Sequence, residues 1–228
     1  GFYVGRYEAG LAKDIPEFTE TQGEINSNQV YNLEGIPQSK AGVIPWMFID
    51  ANHAQGNAKN MYNTKSISSG LITGTQWDVM LKKLVEKTDL TEADLTDSKN
   101  WGNLQENSIE YKGRMANAGN ANGGYLTAFG EEREGRTTVQ NGELLTTGAS
   151  RQTEKYHIFD VAGNLWEITD EISLYKQGNA KETNIQYNVL RGEGYVGSFE
   201  LAVCYRYGEM PKDMVDWSTG FRVVLYIK

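Results

Sequence analysis

A single cysteine, Cys204, stands among the 228 residues. Internal disulfides and cysteine-based zinc sites are therefore excluded, since both need several thiols. One cysteine suits a reducing compartment, and equally a bacterial or phage surface domain large enough to fold without bridges. Histidine is nearly as scarce. His53 and His157 are the only two, neither lies in an HExxH pair or another two-histidine spacing, and each reads as a solvated or hydrogen-bonded structural residue. No apolar run approaches the roughly 20 residues that span a bilayer. GxSxG, Walker and strand-linked GxGxxG words are missing. No basic cluster offsets a formal charge of −8 and a pI of about 4.9, so nucleic-acid and anionic-membrane binding, which need a positive face, are disfavoured.

What is present points to a loop-rich globular domain. There are 25 glycines, 13 tyrosines and only four prolines, and 39% of residues are hydrophobic. The length suits one domain with a sizeable core. No repeat, heptad or composition break argues for a second, so residues 1–228 are read as a single α+β unit. The chain opens on "GFYVGRYE", a β-rich stretch without a signal peptide, and an excised domain is expected. Asp50 is a cap candidate for a helix that places Ala51, Ala54, Ala58 and Met61 on one face. In "GLITGTQWDVMLKKLVEK", Trp77, Met80, Leu81, Leu84 and Val85 follow the i, i+3, i+4 spacing of a buried stripe, with Thr75 and Asp78 as a possible capping box. "TEADLTD" (91–97) reads as a solvated acidic face. Residues 98–150, rich in Gly, Asn and Thr, read as surface loop with one hairpin.

Three short words carry the functional argument: "DVAGNLWE" (160–167), "VLRG" (189–192) and "GFRVVL" (220–225). The first packs a tight Gly163–Asn164 turn against an indole, with carboxylates at Asp160, Glu167, Asp170 and Glu171. Such a turn gathers the oxygen atoms a hard cation prefers, or is simply sealed by a core tryptophan with exposed acids.

These words, with "GFYVGRYEAG" and "LITGTQWDVML", follow the order of marks in the formylglycine-generating enzyme, or sulfatase-modifying factor, family. Relatives read "FYIGKYEVT", "LPTEAEWEYA", "DMxGNVWEW", "RVxRGGSW" and "GFR". The resemblance implies a C-type-lectin-like fold with two main helices and small antiparallel sheets. It also implies a structural calcium ion held by the Asp160 and Glu167 side chains and the Gly163 and Leu165 carbonyls. The enzymes of the family are copper-dependent oxidases with two cysteines just after RGGSW. Here "CYRY" (204–207) resembles the word around the second cysteine, and the first has no counterpart. One thiolate cannot supply paired soft ligands for Cu(I), and two scattered histidines do not build the cluster of the related iron enzymes. Cys204 then reads as a small, partly buried hydrophobe.

A narrower resemblance is to non-catalytic, lectin-like variable proteins of bacterial and phage diversity-generating retroelements. It implies a fixed scaffold displaying a variable face between the RGG-like and GFR words. Aromatic and Met side chains there give contact area, and small polar ones adapt. The expected binding face comprises Glu193, Tyr195, Val196, Phe199, Glu200, Tyr207, Glu209, Met210, Asp213, Met214, Asp216 and Trp217. Leu201, Val203, Tyr205, Phe221, Val223 and Leu225 are expected to complete the core. The implied partner is a surface macromolecule of a host or other cell. A protein is favoured over a sugar because the EPN and QPD sugar-binding motifs are absent. The implied setting is extracellular, on a bacterial surface or phage virion. The competing reading is a divergent copper- or iron-dependent oxidase of the same family.

Overall fold

The computed structural model describes residues 1–11, 25–26, 32–105, 107, 109–114, 117–118, 125–127, 132–139, 143–174, 186–196 and 202–228. Helix α1 (Ala51–Asn60) begins where expected. Asp50 is extended, and its carboxylate accepts the His53 backbone N–H, which closes the first turn. Ala51, Ala54 and Ala58 are buried on one face. Helix α2 (Gly74–Lys87) buries Trp77, Met80, Leu81 and Leu84, leaving Val85 half-buried. Its cap corrects the expected one. The Thr73 hydroxyl accepts from Gln76 N at 3.0 Å, and the Gln76 carboxamide oxygen accepts from Thr73 N at 2.9 Å. Gln can reciprocate at the third helical position, whereas Asp78 faces outward to Arg191 and Arg206. The acidic stretch forms a short exposed helix, α3 (Glu92–Thr96), with no buried residue.

Two sheets organise the described residues. Strands β1 (Tyr3–Val4), β12 (Val223–Ile227) and β3 (Ile67–Leu71) form an antiparallel sheet in the order β1-β12-β3. The second runs β10-β9-β8-β11, built from β8 (Trp166–Leu174), β9 (Gln186–Arg191), β10 (Tyr207–Pro211) and β11 (Thr219–Phe221). Only β11 against β8 is parallel. A single residue, Arg222, separates β11 from β12, so the chain passes between the two sheets at that point. Smaller pairings join β4 (Ile109–Arg114) to β7 (Glu132–Val139) and β2 (Ile25–Asn26) to β6 (Tyr125–Thr127) and β5 (Asn117–Ala118).

Two apolar clusters flank the sheet carrying β12. One gathers Trp46, Met47, Ile49, Leu190, Phe221 and Val223. The other gathers Ile72, Trp77, Leu84, Trp101, Val203 and Val224. Val223 and Val224 point to opposite faces, as strand alternation requires, so β12 serves both clusters. Several expectations are corrected here. The strand in "GFYVGRYE" is only Tyr3–Val4. Residues 98–150 hold the expected hairpin, but Trp101, Leu104, Ile109, Leu144 and Leu145 are core rather than surface. Tyr205 is 46% exposed, and Leu225 is half-buried because it shares the Val223 face of β12 but lies nearer the strand's exposed end. Leu201 lies outside the described residues. Among the described residues no helix is long and apolar enough to cross a membrane.

The observed cap is tested by two alanine variants. Thr73→Ala is expected to cost about 1 kcal/mol in urea unfolding, and Thr75→Ala to be near neutral. The reverse order would restore the cap two residues later.

Candidate functional site

The "DVAGNLWE" turn is the best-ordered polar feature of the molecule. Gly163 has φ +77, and a Cβ there would lie 2.1 Å from the Asn103 carbonyl oxygen, so only glycine fits. Asn164, also left-handed at φ 67, is buried and held on both ends of its amide. Its Nδ2 donates to Glu8 Oε2 at 2.6 Å, and its Oδ1 accepts from Asn103 Nδ2 and Leu145 N, each at 3.0 Å. The other Glu8 oxygen accepts Leu165 N at 3.0 Å. The N-terminal segment is thereby tied to the turn.

Asp160 and Glu167 face different partners. The Asp160 carboxylate accepts from Thr153 Oγ1 and from Gly148 N, both at 2.7 Å. Both Glu167 oxygens accept from Arg222 Nε at 3.0 Å. The remaining Arg222 nitrogens donate to the main-chain oxygens of Gly5, Phe159 and Asp160. Glu8, Asp160, Glu167 and Arg222 are all buried. Burial raises the carboxyl pKa of Glu8 well above its ordinary value, and the Asp160 and Glu167 charges push the same way. Asp160 and Glu167 are also raised, chiefly by burial. Burial works against the Arg222 charge, but Glu167, with Glu8 and Asp160, raises its pKa overall.

This geometry does not fit the calcium site implied by the sequence resemblance. The Asp160 carboxylate is spent on a hydroxyl and an amide, and the Glu167 carboxylate on a guanidinium, so the two do not converge on a cation with Gly163 and Leu165. Among the described residues no group of three or more His, Cys, Asp or Glu side chains is arranged to hold a metal ion.

The described part of the expected binding face divides into three groups. Val196, Asp213 and Met214 are exposed, and Tyr207, Asp216 and Trp217 are half-buried. Glu193, Tyr195 and Met210 are buried, a correction with local causes. Gly192 (φ 90) and Glu193 (φ 66) are successive left-handed residues that turn the chain sharply inward after β9. Tyr195 N then donates to Asn164 O at 2.9 Å, and its ring meets Trp217 edge-on at 5.6 Å. Burial, with Asp216 nearby, raises the Tyr195 hydroxyl pKa. Met210 turns into the cluster beneath β10. Phe199, Glu200 and the Glu209 side chain lie outside the described residues.

Trp166 belongs with this face and was missed by the sequence reading, which held it as a core seal. It is half-buried, with its ring 5.5 Å from that of Tyr207. Strand alternation was the available signal: with Glu167 inward, its neighbour Trp166 must face the other way. A Cβ on Gly194 would lie 2.8 Å from Trp166 Cδ1, so the backbone just before Tyr195 passes against the Trp166 ring. The 211–218 loop is pinned to the scaffold by Phe48 N to Asp216 O, Ala51 N to Lys212 O and Trp166 N to Ser218 O.

Behind this face lies a charged cluster at the start of α2. Arg191 is buried over the Trp77 ring and donates to Asp78 Oδ1 at 2.6 Å and to Cys204 O at 3.3 Å. Arg206 joins Asp78 and Glu171. Cys204 is half-buried, with its backbone N–H given to Leu95 O.

The sulfatase-modifying factor enzyme 1-like domain family matches residues 69–227. Among solved structures, CarF is similar at 13% identity and a TM-score of 0.42, over 76% of this chain and 54% of that one. Treponema denticola variable protein 1 is similar at 19% identity and a TM-score of 0.37, over 71% and 49%. The chain thus spans about half the length of each. No curated protein matches it.

The Glu8 cluster predicts a pH dependence of stability. Glu8 binds its proton more tightly in the folded chain than in the unfolded one. Its contribution is therefore fully present below the ordinary value of 4.5 and is lost as pH rises through the folded value. Melting measured from about pH 5 to about pH 8 should fall more steeply for the wild type than for Glu8→Gln. Parallel profiles would mean that Glu8 ionises without penalty.

Proposed function

This chain belongs to the sulfatase-modifying factor enzyme 1-like domain family, with its C-type-lectin-like α+β fold, and we propose that it is a non-catalytic ligand-binding domain. The observation that carries the proposal is the aromatic shelf of Trp166, Tyr195, Tyr207 and Trp217. Exposed Val196 and Met214 lie in the same two segments, between the framing words "VLRG" and "GFR". Aromatic side chains lose little rotamer freedom on binding, and an apolar side chain in the open gains from a partner that covers it. The buried members of the set serve as the backing. Tyr195 and Met210 hold the shelf to the core, while Val196, Asp213, Met214, Asp216, Tyr207 and Trp217 are available for contact.

The chemistry of the enzymes in the family is disfavoured by residue count. Cys204 is the only thiol in the chain, and a two-cysteine copper site cannot be assembled from it. The partner proposed is a surface macromolecule of another cell, a protein rather than a sugar, met outside the cell. Retroelement diversification of the 193–219 segment is part of the same proposal. It requires a reverse transcriptase gene and a near-copy of the 3′ coding segment, differing at adenines, beside this coding sequence.

Two measurements test the reading. Fluorescently labelled domain should stain at least one class in a panel of intact bacterial and host cells. Val196→Asp and Met214→Asp should each cut that staining by roughly tenfold or more with little change in melting, because both residues are exposed. Staining indifferent to both variants would move the site elsewhere. Cu(I) titration with oxygen consumption on a thiol-bearing peptide should show neither stoichiometric binding nor turnover; both together would make the chain an oxidase.

A further inference from the structure

We infer that the cation of the Asp160–Glu167 turn is built into the chain: the Arg222 guanidinium gathers the oxygen atoms there, and the turn folds without a metal ion. The acceptors around this one side chain are both carboxylate oxygens of Glu167 and the main-chain oxygens of Gly5, Phe159 and Asp160. Oxygen atoms from three separate chain segments thus converge on one buried positive charge, which is what a structural calcium ion does with six to eight oxygens. A guanidinium does it differently. Its donors lie in one plane and take the carboxylate edge-on, and its charge arrives covalently attached to the strand that must be positioned.

The two cations cannot share the site. A calcium ion needs Glu167 oxygens within about 2.3–2.6 Å, and these oxygens already accept from Arg222. Displacing Arg222 would strand its charge in a fully buried position, which is strongly destabilising. Asp160 gives no help to an incoming ion, because its carboxylate is turned to Thr153 and Gly148. What it contributes to the cation is its main-chain oxygen, which accepts from Arg222 at 3.1 Å. Its φ of 56 places the residue in the left-handed region at the point where that oxygen meets the guanidinium. The turn, the N-terminal segment and the β11–β12 switch therefore close around one arginine, and their stability is independent of free calcium.

The wild-type domain alone can decide this. After dialysis against a strong chelator, elemental analysis should find no calcium retained. Melting should be the same in chelator and in millimolar calcium, with magnesium as the control for general charge screening. One calcium retained per chain overturns the inference. So does a saturable calcium-specific rise in melting temperature that Glu167→Gln abolishes. Variants supply the second arm. Arg222→Met should lower melting by roughly 10 °C or more by leaving Glu167 charged and buried alone. The double variant Arg222→Met/Glu167→Met should recover a large part of that loss. A double variant no better than the single one would show that the pair is not the organising charge. If Arg222→Met does not fold, the wild-type calcium measurements still give the answer.

Discussion

Arg222 occupies the single position between β11 and β12, with its guanidinium sealed from solvent against the Glu167 carboxylate. Burying two charges costs more than a hydrophobic pair would, and such a pair is retained where it fixes geometry rather than where it adds stability. Here the geometry is the change of sheet. Phe221 ends a strand that runs parallel to β8, and Val223 begins one that pairs with β3. The residue between them must leave one ladder and enter the other, and its carbonyl accepts Ile72 N, directly after β3. Arg222 reaches back from that gap to oxygen atoms on residues 5, 159, 160 and 167, so the switch is braced from three directions.

The aromatic shelf depends on that brace through the backbone. Trp166 is the residue before Glu167, and its N–H is given to Ser218 O, next to the strand that leads into Arg222. Asn164, two residues further back, accepts Tyr195 N on its main-chain oxygen while its side chain is clamped by Glu8, Asn103 and Leu145. The same short turn thus positions one tryptophan through β8 and one tyrosine through a direct hydrogen bond. Substitution at Val196 or Met214 reaches none of these bonds. Substitution at Asn164 would break the clamp to Glu8, Asn103 and Leu145, and substitution at Glu167 the pair with Arg222, and the buried partners left behind have no solvent to fall back on.

Much of the scaffold was legible because its signals are local. The alanine face of α1, the Trp77–Leu84 stripe of α2 and the Gly163–Asn164 turn each follow from spacing within a dozen residues. The α2 cap was misread by two positions for a reason of chemistry: Thr75 with Asp78 matches the pattern loosely, but Thr73 with Gln76 satisfies two backbone donors at once. The binding face was half legible. A stretch without period reads as display, yet which of its residues turn inward depends on the left-handed pair at 192–193 and on distant partners such as Asn164. Trp166 was missed because a large indole beside a tight turn suggests core, although the inward Glu167 forces it outward. One long-range contact also bears on the ligands expected around Asp160 and Glu167. Nothing within "DVAGNLWE" announces that its glutamate belongs to an arginine 55 residues later in the chain.

The charged cluster behind the shelf explains how the "CYRY" segment is held with a single cysteine. Arg191 ends β9 on one side of the left-handed turn, and its side chain donates to the main-chain oxygen of Cys204 on the far side of the segment that follows. Asp78, on α2, receives Arg191 and Arg206 together, and Arg206 continues to Glu171 on β8. The segment from 202 to 207 is therefore anchored through arginines and through Cys204 backbone atoms, while the Cys204 thiol is not needed for its placement. A second cysteine would add nothing to this arrangement. The anchoring of this segment thus rests on charge and on main-chain hydrogen bonds.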